Sequence, residues 1–336
     1  MLITAPANVR YLTGYAGSNG LVLITPHEAH FFTDPRYAIE AEETIDCRVH
    51  IAKRSLLEAA AAIIKRKKIK RVGFEESNFT VAFFRHLEDS FPLGSSLHAA
   101  GGMVEELRMI KSQDEIEKIR HSVNVNSEAY RRTLRRVKIG ATERDIAAEL
   151  EFQMRRLGAE KPAFETIVAA GARSALPHST PTGRRVEDNE ILLVDMGATV
   201  DGYTSDMTRV SHAGVPSKRI KGYYDAVLEA QLAGVDAIRP GIAASRVDAR
   251  ARKVLKEHGL DRFFVHSTGH GLGLEIHEGP RVARRASTKL APGMVITVEP
   301  GVYVEDVGGI RIEDTVLVTD AGCEVLTPTS KELVEI

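Results

Sequence analysis

Along residues 112–137 the apolar positions Ile116, Ile119, Val123, Tyr130, Leu134 and Val137 recur three, four or seven residues apart, the spacing of a helix that buries one face. Ser112 with Glu115 forms a capping-box signature ahead of it. Three more helical stretches follow: 141–158, opened by Thr142 and closed by Gly158, then 217–238 and 245–259. Strand-like runs lie between and after them at 164–170, 190–211, 263–278, 294–304 and 309–319. Helices gathered against many short strands predict an α+β domain with an antiparallel sheet. The N-terminal third has a shorter period. Strands at 20–25 and 30–33, a turn at Thr33-Asp34-Pro35-Arg36, a helix at 55–68 and a strand at 70–75 predict a small α/β domain. The break HAAGGM (98–103) precedes the long helix, so the boundary is set near 110, giving domains 1–110 and 111–336.

Composition narrows the class. Of 336 residues 43% are hydrophobic and 27% charged, with a formal net charge of -1. No global field draws nucleic acid or an acidic membrane. The basic runs KRKKIKR (65–71) and RRTLRR (131–136) read as a solvated helix end and an exposed helix face. Cys47 and Cys323 are far apart and read as reduced thiols. The N-terminus has no basic start followed by a long apolar core, and no run approaches the roughly 18 apolar residues of a membrane span. The expectation is a cytoplasmic protein with neither nucleic-acid nor membrane partners.

Candidate chemistry lies in the second domain. In EILLVDMGATVDGYTSDMTRV (190–210), Asp201-Gly202 between two β-rich runs is a hairpin signal. A two-residue turn there sets Asp195 opposite Thr208 and puts Asp195, Asp206 and Thr208 on one face. Two adjacent carboxylates repel unless a cation lies between them. Glu299 interrupts the apolar run VITVEP, and 308–319 places Ile310 and Ile312 on one face with Arg311, Glu313 and Thr315 on the other. HSTGHGLGLEIHE (266–278) adds His266, His270 and His277 among glycines. Four carboxylates carry four negative charges, which two divalent cations would neutralise, and one imidazole joins the set. The oxygen-rich set favours manganese or magnesium, with iron(II), cobalt or zinc admitted by the imidazole. Such ions activate water and polarise a carbonyl.

The ordered set Asp195, Asp206, His270, Glu299 and Glu313 resembles the dinuclear ligands of the pita-bread metallopeptidases. That superfamily holds methionine aminopeptidase, aminopeptidase P and prolidase (peptidase family M24). HSTGHGLGLEIHE resembles the signature of its Xaa-Pro branch. NVRYLTGYAGSNG (8–20) and FFTDPRY (31–37) resemble the small N-terminal creatinase-like domain of that branch. The resemblance implies a pita-bread catalytic domain behind a creatinase-like domain, two Mn2+ ions (Co2+, Zn2+ or Fe2+ as alternatives), and a homodimer. It implies His270 as metal ligand, and His266 and His277 as groups that hold the substrate carbonyl and assist proton transfer. His178 corresponds to a histidine near the leaving group, and Glu299 to the proton shuttle from water to proline nitrogen. Arg311 corresponds to an arginine typical of the Xaa-Pro branch. Gly269, Gly271 and Gly273 are expected to let backbone approach the metals and adopt dihedrals closed to a Cβ. Only seven residues precede Asn8, fewer than in relatives, so a trimmed N-terminal domain or a late start is expected.

The leading expectation is an Xaa-Pro aminopeptidase acting on short peptides with proline second. The alternative is an Xaa-Pro dipeptidase (prolidase), which shares the same ligands and histidines. A metal-free creatinase-like hydrolase and a non-catalytic pita-bread binding module are more distant, because both would have lost ligands that are intact here. Asp34, Arg36 and Tyr37 read as turn residues, Phe164 and Ile167 as core or pocket lining, and Thr208 as a sheet neighbour or a support to the ligands.

Overall fold

A computed structural model describes residues 1–336. The chain divides into two compact units, Met1–Arg108 and Met109–Ile336. The first holds β1 (Leu2–Ile3), α1 (Pro6–Thr13), β2 (Gly20–Ile24), β3 (Ala29–Thr33), α2 (Ala38–Thr44), β4 (Arg48–Ile51), α3 (Leu56–Arg66), β5 (Arg71–Phe74), α4 (Val81–Ser90), β6 (Ser96–Ala99) and α5 (Met103–Met109), whose last residue crosses the division. Its six strands form one mixed sheet in the order β4-β3-β2-β1-β5-β6. Strand alternation feeds two cores. Leu2, Leu21, Leu23 and Phe32 join Leu57 and Ile64 of α3, while Ile3, Val22 and Phe31 join Val9 of α1 and Ala41 of α2. Asp34 caps the turn as expected, accepting from the Arg36 backbone N–H at 2.9 Å.

The second unit begins with α6 (Gln113–Leu134) and α7 (Glu143–Arg156), each opened by a capping box, from Ser112 and Thr142. Then come β7 (Lys161–Pro162), β8 (Ile167–Ala170), β9 (Glu190–Met196), β10 (Ala198–Val200), β11 (Tyr203–Thr204), β12 (Met207–Ala213), α8 (Lys218–Asp236) and α9 (Ala244–Glu257). The last third is β13 (Gly269–Gly271), β14 (Glu278–Val282), β15 (Val295–Val298), β16 (Gly301–Val304), β17 (Gly308–Arg311), β18 (Asp314–Val318), β19 (Cys323–Val325) and β20 (Val334–Glu335). The sheets are β20-β12-β9-β8, β11-β10-β7, β14-β13-β15-β18-β19 and β16-β17, antiparallel throughout except where β20 joins β12. Helices α6 and α7 cover one core with Ala129, Tyr130, Leu150 and Met154, and α8 and α9 cover another with Val227, Ala230, Ala251 and Leu255. Ile167 belongs to that second core. No helix is long and apolar enough to cross a membrane.

Two expectations need correction. The run 263–278 is mostly irregular; only Gly269–Gly271 is strand before β14. The runs 294–304 and 309–319 are each broken, at Glu299-Pro300 and at Ile312-Glu313. Proline has no N–H for a ladder, so the first break follows from Pro300.

Candidate metal centre and active site

Two bent hairpin ribbons build the site. In the first, Asp201 and Gly202 have φ of 50° and 80°, a two-residue turn with both central residues left-handed. Val200 pairs with Tyr203 at the tip, and Asp195 with Thr208 beyond it. One register therefore runs through the bend at Gly197, where Asp206 lies opposite. A Cβ on Gly197 would stand 2.2 Å from the Ser205 carbonyl oxygen, so the bend needs glycine. In the second ribbon Val298 pairs with Asp314 and Gly301 with Arg311. The same register spans that bend too and sets Glu299 opposite Glu313. Each ribbon thus carries a carboxylate pair at its bend, where the strand turns out of its sheet.

The ribbons are fastened to each other. Thr208 Oγ1 donates to Glu313 Oε2 at 2.6 Å and accepts from Arg311 Nε at 3.0 Å. The Glu313 backbone N–H donates to Thr208 O, and Thr315 Oγ1 donates to Asp206 O at 2.9 Å. The buried Arg209 guanidinium donates to the carbonyls of Thr208 and Glu313 and to Asp314 Oδ1. Thr208 is therefore a support to both ribbons and not a bare sheet neighbour.

The fastening brings Asp206, His270 and Glu313 together, with one ligand atom of each within 4.8 Å of the others. Glu299 Oε1 is 3.4 Å from His270 Nε2, and Asp206 Oδ2 is 3.6 Å from it. Asp195 joins through a buried ion pair with Arg311 Nη2. Asp195 Oδ1 and Glu313 Oε1 are buried without any hydrogen-bond partner. Such orphaned oxygens are costly unless a cation meets them. Burial, then the neighbouring Glu313, Asp195 and Glu299, raises the Asp206 carboxyl well above its ordinary value. Burial, then Glu299 and Asp195, does the same to Glu313, and burial pushes Glu299 up to about 7. His270 Nδ1 faces the Gly271 carbonyl at 3.1 Å, which assigns the ring proton to Nδ1 and leaves the Nε2 lone pair toward two carboxylates. Ionised, these carboxylates and the unprotonated nitrogen would repel one another; a divalent ion would reconcile them, so the residues fit a metal centre.

Around the cluster, the histidines separate into two kinds. His266 has both ring nitrogens engaged, Nδ1 with Ser267 O at 2.7 Å and Nε2 with Tyr303 Oη at 2.8 Å. Burial, then Arg311, lowers it to about 4, so it is neutral. In this arrangement it keeps no free donor. His178 and His277 are exposed and their ring nitrogens make no hydrogen bond; His277 only packs edge-on against His270 at 4.5 Å. His178 follows Pro177, whose carbonyl accepts from Arg311, which brings it to the same site. Arg311 is buried and donates to Asp195, to Tyr303 Oη at 2.6 Å, and to Pro177 O at 3.3 Å.

Tyr303 was not foreseen from sequence. Its hydroxyl accepts from Arg311 and donates to His266, joining the arginine to the histidine. The signal was available: Tyr303 lies on the same ribbon as Glu299, four residues on. The glycine expectation also needs correction. None of Gly269, Gly271 and Gly273 has a positive φ. A Cβ on Gly269 would meet Thr297 O at 2.0 Å, and on Gly271 would meet Gly279 O at 2.0 Å. Gly269 and Gly271 admit close crossing of neighbouring backbone, and not unusual dihedrals.

The comparisons agree with this geometry. Residues 117–320 match the model of metallopeptidase family M24, and residues 1–110 that of the creatinase/prolidase N-terminal domain. The chain belongs to metallopeptidase family M24. It has the creatinase N-terminal domain followed by the pita-bread catalytic domain, as the sequence resemblance implied. It is 36% identical over 335 residues to an Xaa-Pro dipeptidase of Pyrococcus furiosus, an alignment covering 99% of this chain and 94% of the relative. A structure titled Xaa-Pro dipeptidase from Bacillus anthracis superposes with TM-score 0.97 at 38% identity, covering 100% of this chain and 94% of that one. A structure of an X-Pro aminopeptidase from Thermotoga maritima gives TM-score 0.93 at 37% identity, covering 99% and 94%. Membership implies a dinuclear metal site, to which the group Asp206, His270 and Glu313 corresponds.

Proposed function

We propose that the chain is an exopeptidase that cleaves Xaa-Pro bonds, with the dipeptide as its preferred substrate. The observation that carries the reading is the buried set of Asp195, Asp206, Glu299 and Glu313 around the unprotonated Nε2 of His270. These five side chains would hold two divalent ions, with manganese favoured by the oxygen-rich donors. Bound there, the ions supply Lewis acidity and a water made acidic near neutral pH.

The chain's own residues supply the rest. Arg311 fixes Asp195 and, through Tyr303, the neutral His266. His178 and His277 keep free ring nitrogens to meet the substrate carbonyl and the departing amine. An Xaa-Pro bond is a tertiary amide whose nitrogen offers no hydrogen, so the enzyme must deliver a proton to it. Glu299 is the group for that transfer, since Thr297 Oγ1 donates to its Oε1 at 3.1 Å and its second oxygen has no hydrogen-bond partner.

The relatives named as Xaa-Pro dipeptidases support the dipeptide reading over the aminopeptidase expected from the sequence. The Thermotoga structure keeps the aminopeptidase as a second reading. Ala-Pro and Ala-Pro-Ala are compared side by side in manganese buffer. Faster release of alanine from the dipeptide supports the dipeptidase; faster release from the tripeptide makes the chain an aminopeptidase. No turnover of either at full metal loading overturns the enzymatic reading in favour of a binding module.

A further inference from the structure

His178 stands on a segment with little regular structure of its own. Past β8 the chain makes a short 3-10 turn, Gly171–Ala175, then runs irregularly until β9. Yet the segment is tied down at both ends. Glu143, the first residue of α7, is fully buried. Its Oε1 accepts from the Ala170 N–H at 3.0 Å and Arg173 Nε at 3.1 Å; its Oε2 accepts from the Thr182 N–H at 2.9 Å and Thr182 Oγ1 at 2.6 Å. Arg173 passes the restraint on, its Nη2 donating to Ser179 Oγ and Thr180 O, both at 2.8 Å. Those acceptors immediately follow His178.

Helix capping does not account for Glu143. Thr142 already caps α7, and the backbone N–H groups of Glu143 and Arg144 donate to Arg184 O and Thr182 O. Both Glu143 oxygens are spent on the segment that carries His178. The other side is held as well. Ser174 Oγ accepts from the Gly309 N–H at 2.8 Å, and Pro177 O accepts from Arg311. The segment is thus suspended between α7 and β17, with His178 between its fastenings.

We propose that Glu143 and Arg173 are positioning residues, a clamp anchored on a buried carboxylate that aims His178 at the carboxylate cluster. The proposal rests on the reading that His178 meets the substrate. Neither clamp residue touches the reacting groups. Their effect on turnover passes through His178 alone, so it disappears when His178 is absent. A misplacement on the order of 1 Å costs up to about a hundredfold in rate.

The test uses the full metal-loaded chain with Arg173→Ala, Glu143→Gln, His178→Ala and the Arg173→Ala/His178→Ala pair. Bound metal per chain, hydrogen exchange at 176–182, and kcat and KM for Ala-Pro are measured on each. The clamp predicts unchanged metal content, faster exchange at 176–182, and a fall in kcat/KM of about tenfold or more for Arg173→Ala. It predicts less than about a twofold further loss when Arg173→Ala is added to His178→Ala. Equal losses from Arg173→Ala in both backgrounds overturn the proposal, as does unchanged exchange or an unchanged rate while His178→Ala is impaired. If His178→Ala is itself fully active while exchange still quickens in Arg173→Ala, the role of His178 has failed and the clamp's function fails with it. Glu143→Gln serves as a second variant, because it keeps the shape while turning one oxygen into a donor facing Thr182 or Arg173.

Discussion

Thr208→Val tests how the two ribbons share one hydroxyl. The substitution keeps the shape and removes the group that donates to Glu313 and accepts from Arg311. The site is buried, with Thr208 at 0% exposure and Glu313 at 1%. With metal bound, Glu313 is ionised and the lost bond is charge-assisted, worth about 1.5–3 kcal/mol. Without metal, burial and the neighbouring carboxylates raise the Glu313 pKa well above its ordinary value, which favours the uncharged form. A bond to the uncharged form is worth about 0.5–1.5 kcal/mol. The difference of about 1 kcal/mol is a fivefold loss of metal affinity, and reorientation of Glu313 extends this toward the tenfold typical of groups that orient ligands. The assay is manganese titration by calorimetry together with melting curves of loaded and stripped protein. The loaded form should lose about 2–4 °C per kcal/mol for a unit of this size, and more than the stripped form does. Equal shifts in both forms, with manganese affinity unchanged within twofold, would refute the reasoning.

Three further outcomes follow from the same geometry. Tyr303→Phe leaves His266 Nε2 without its donor, a penalty of about 1–3 kcal/mol, and frees Arg311 Nη1 except for Pro177 O; the melting temperature should fall with metal stoichiometry intact. Unchanged stability would show that the hydroxyl bridges nothing. Gly269→Ala drives a methyl to 2.0 Å from Thr297 O and should cost at least about 1–3 kcal/mol and displace His270, seen as reduced metal binding. In the N-terminal unit, burial, then Arg48 and Arg66, lowers the pKa of fully buried His30 from 6.5. The unfolded chain then takes up the proton more readily, so this contribution to stability is complete above pH 6.5 and drains away as pH falls below it. Exchange at 29–33, corrected for intrinsic rate, should quicken from about pH 7.5 to 5.5, and a flat profile would remove the claim.

The long helices and the first ribbon were legible because their signals are local. Ser112-Glu115 and Thr142 mark helix starts within one turn, and Asp201-Gly202 fixes a register that needs only counting. All five proposed ligands were legible through charge set among apolar neighbours and through the family resemblance. What stayed hidden depends on other chain segments. The breaks at Glu299 and Glu313 arise where a ribbon leaves one sheet and enters another, which periodicity cannot register. Helix α1 is only eight residues and carries Asn8, Tyr11 and Thr13, weak helix formers, so tertiary packing decides it. The engagement of both His266 nitrogens, which removes it as a donor, depends on Tyr303, 37 residues away.

The unbroken register through both bends has a consequence for how this gene can change. Asp195 and Asp206 share one ribbon, and Glu299 and Glu313 share the other, so the number of residues between partners is part of the site. Deleting one codon between them turns one carboxylate to the opposite face, although every ligand is still encoded. Length changes are silent only where they leave the pairing untouched, as at the tip beyond Val304 and before Gly308. A library of single-codon deletions across 195–206 and 299–313 should therefore read out as a map of the two ribbons, with tolerance at 305–307 and loss of metal elsewhere, the two-residue tip at Asp201-Gly202 included.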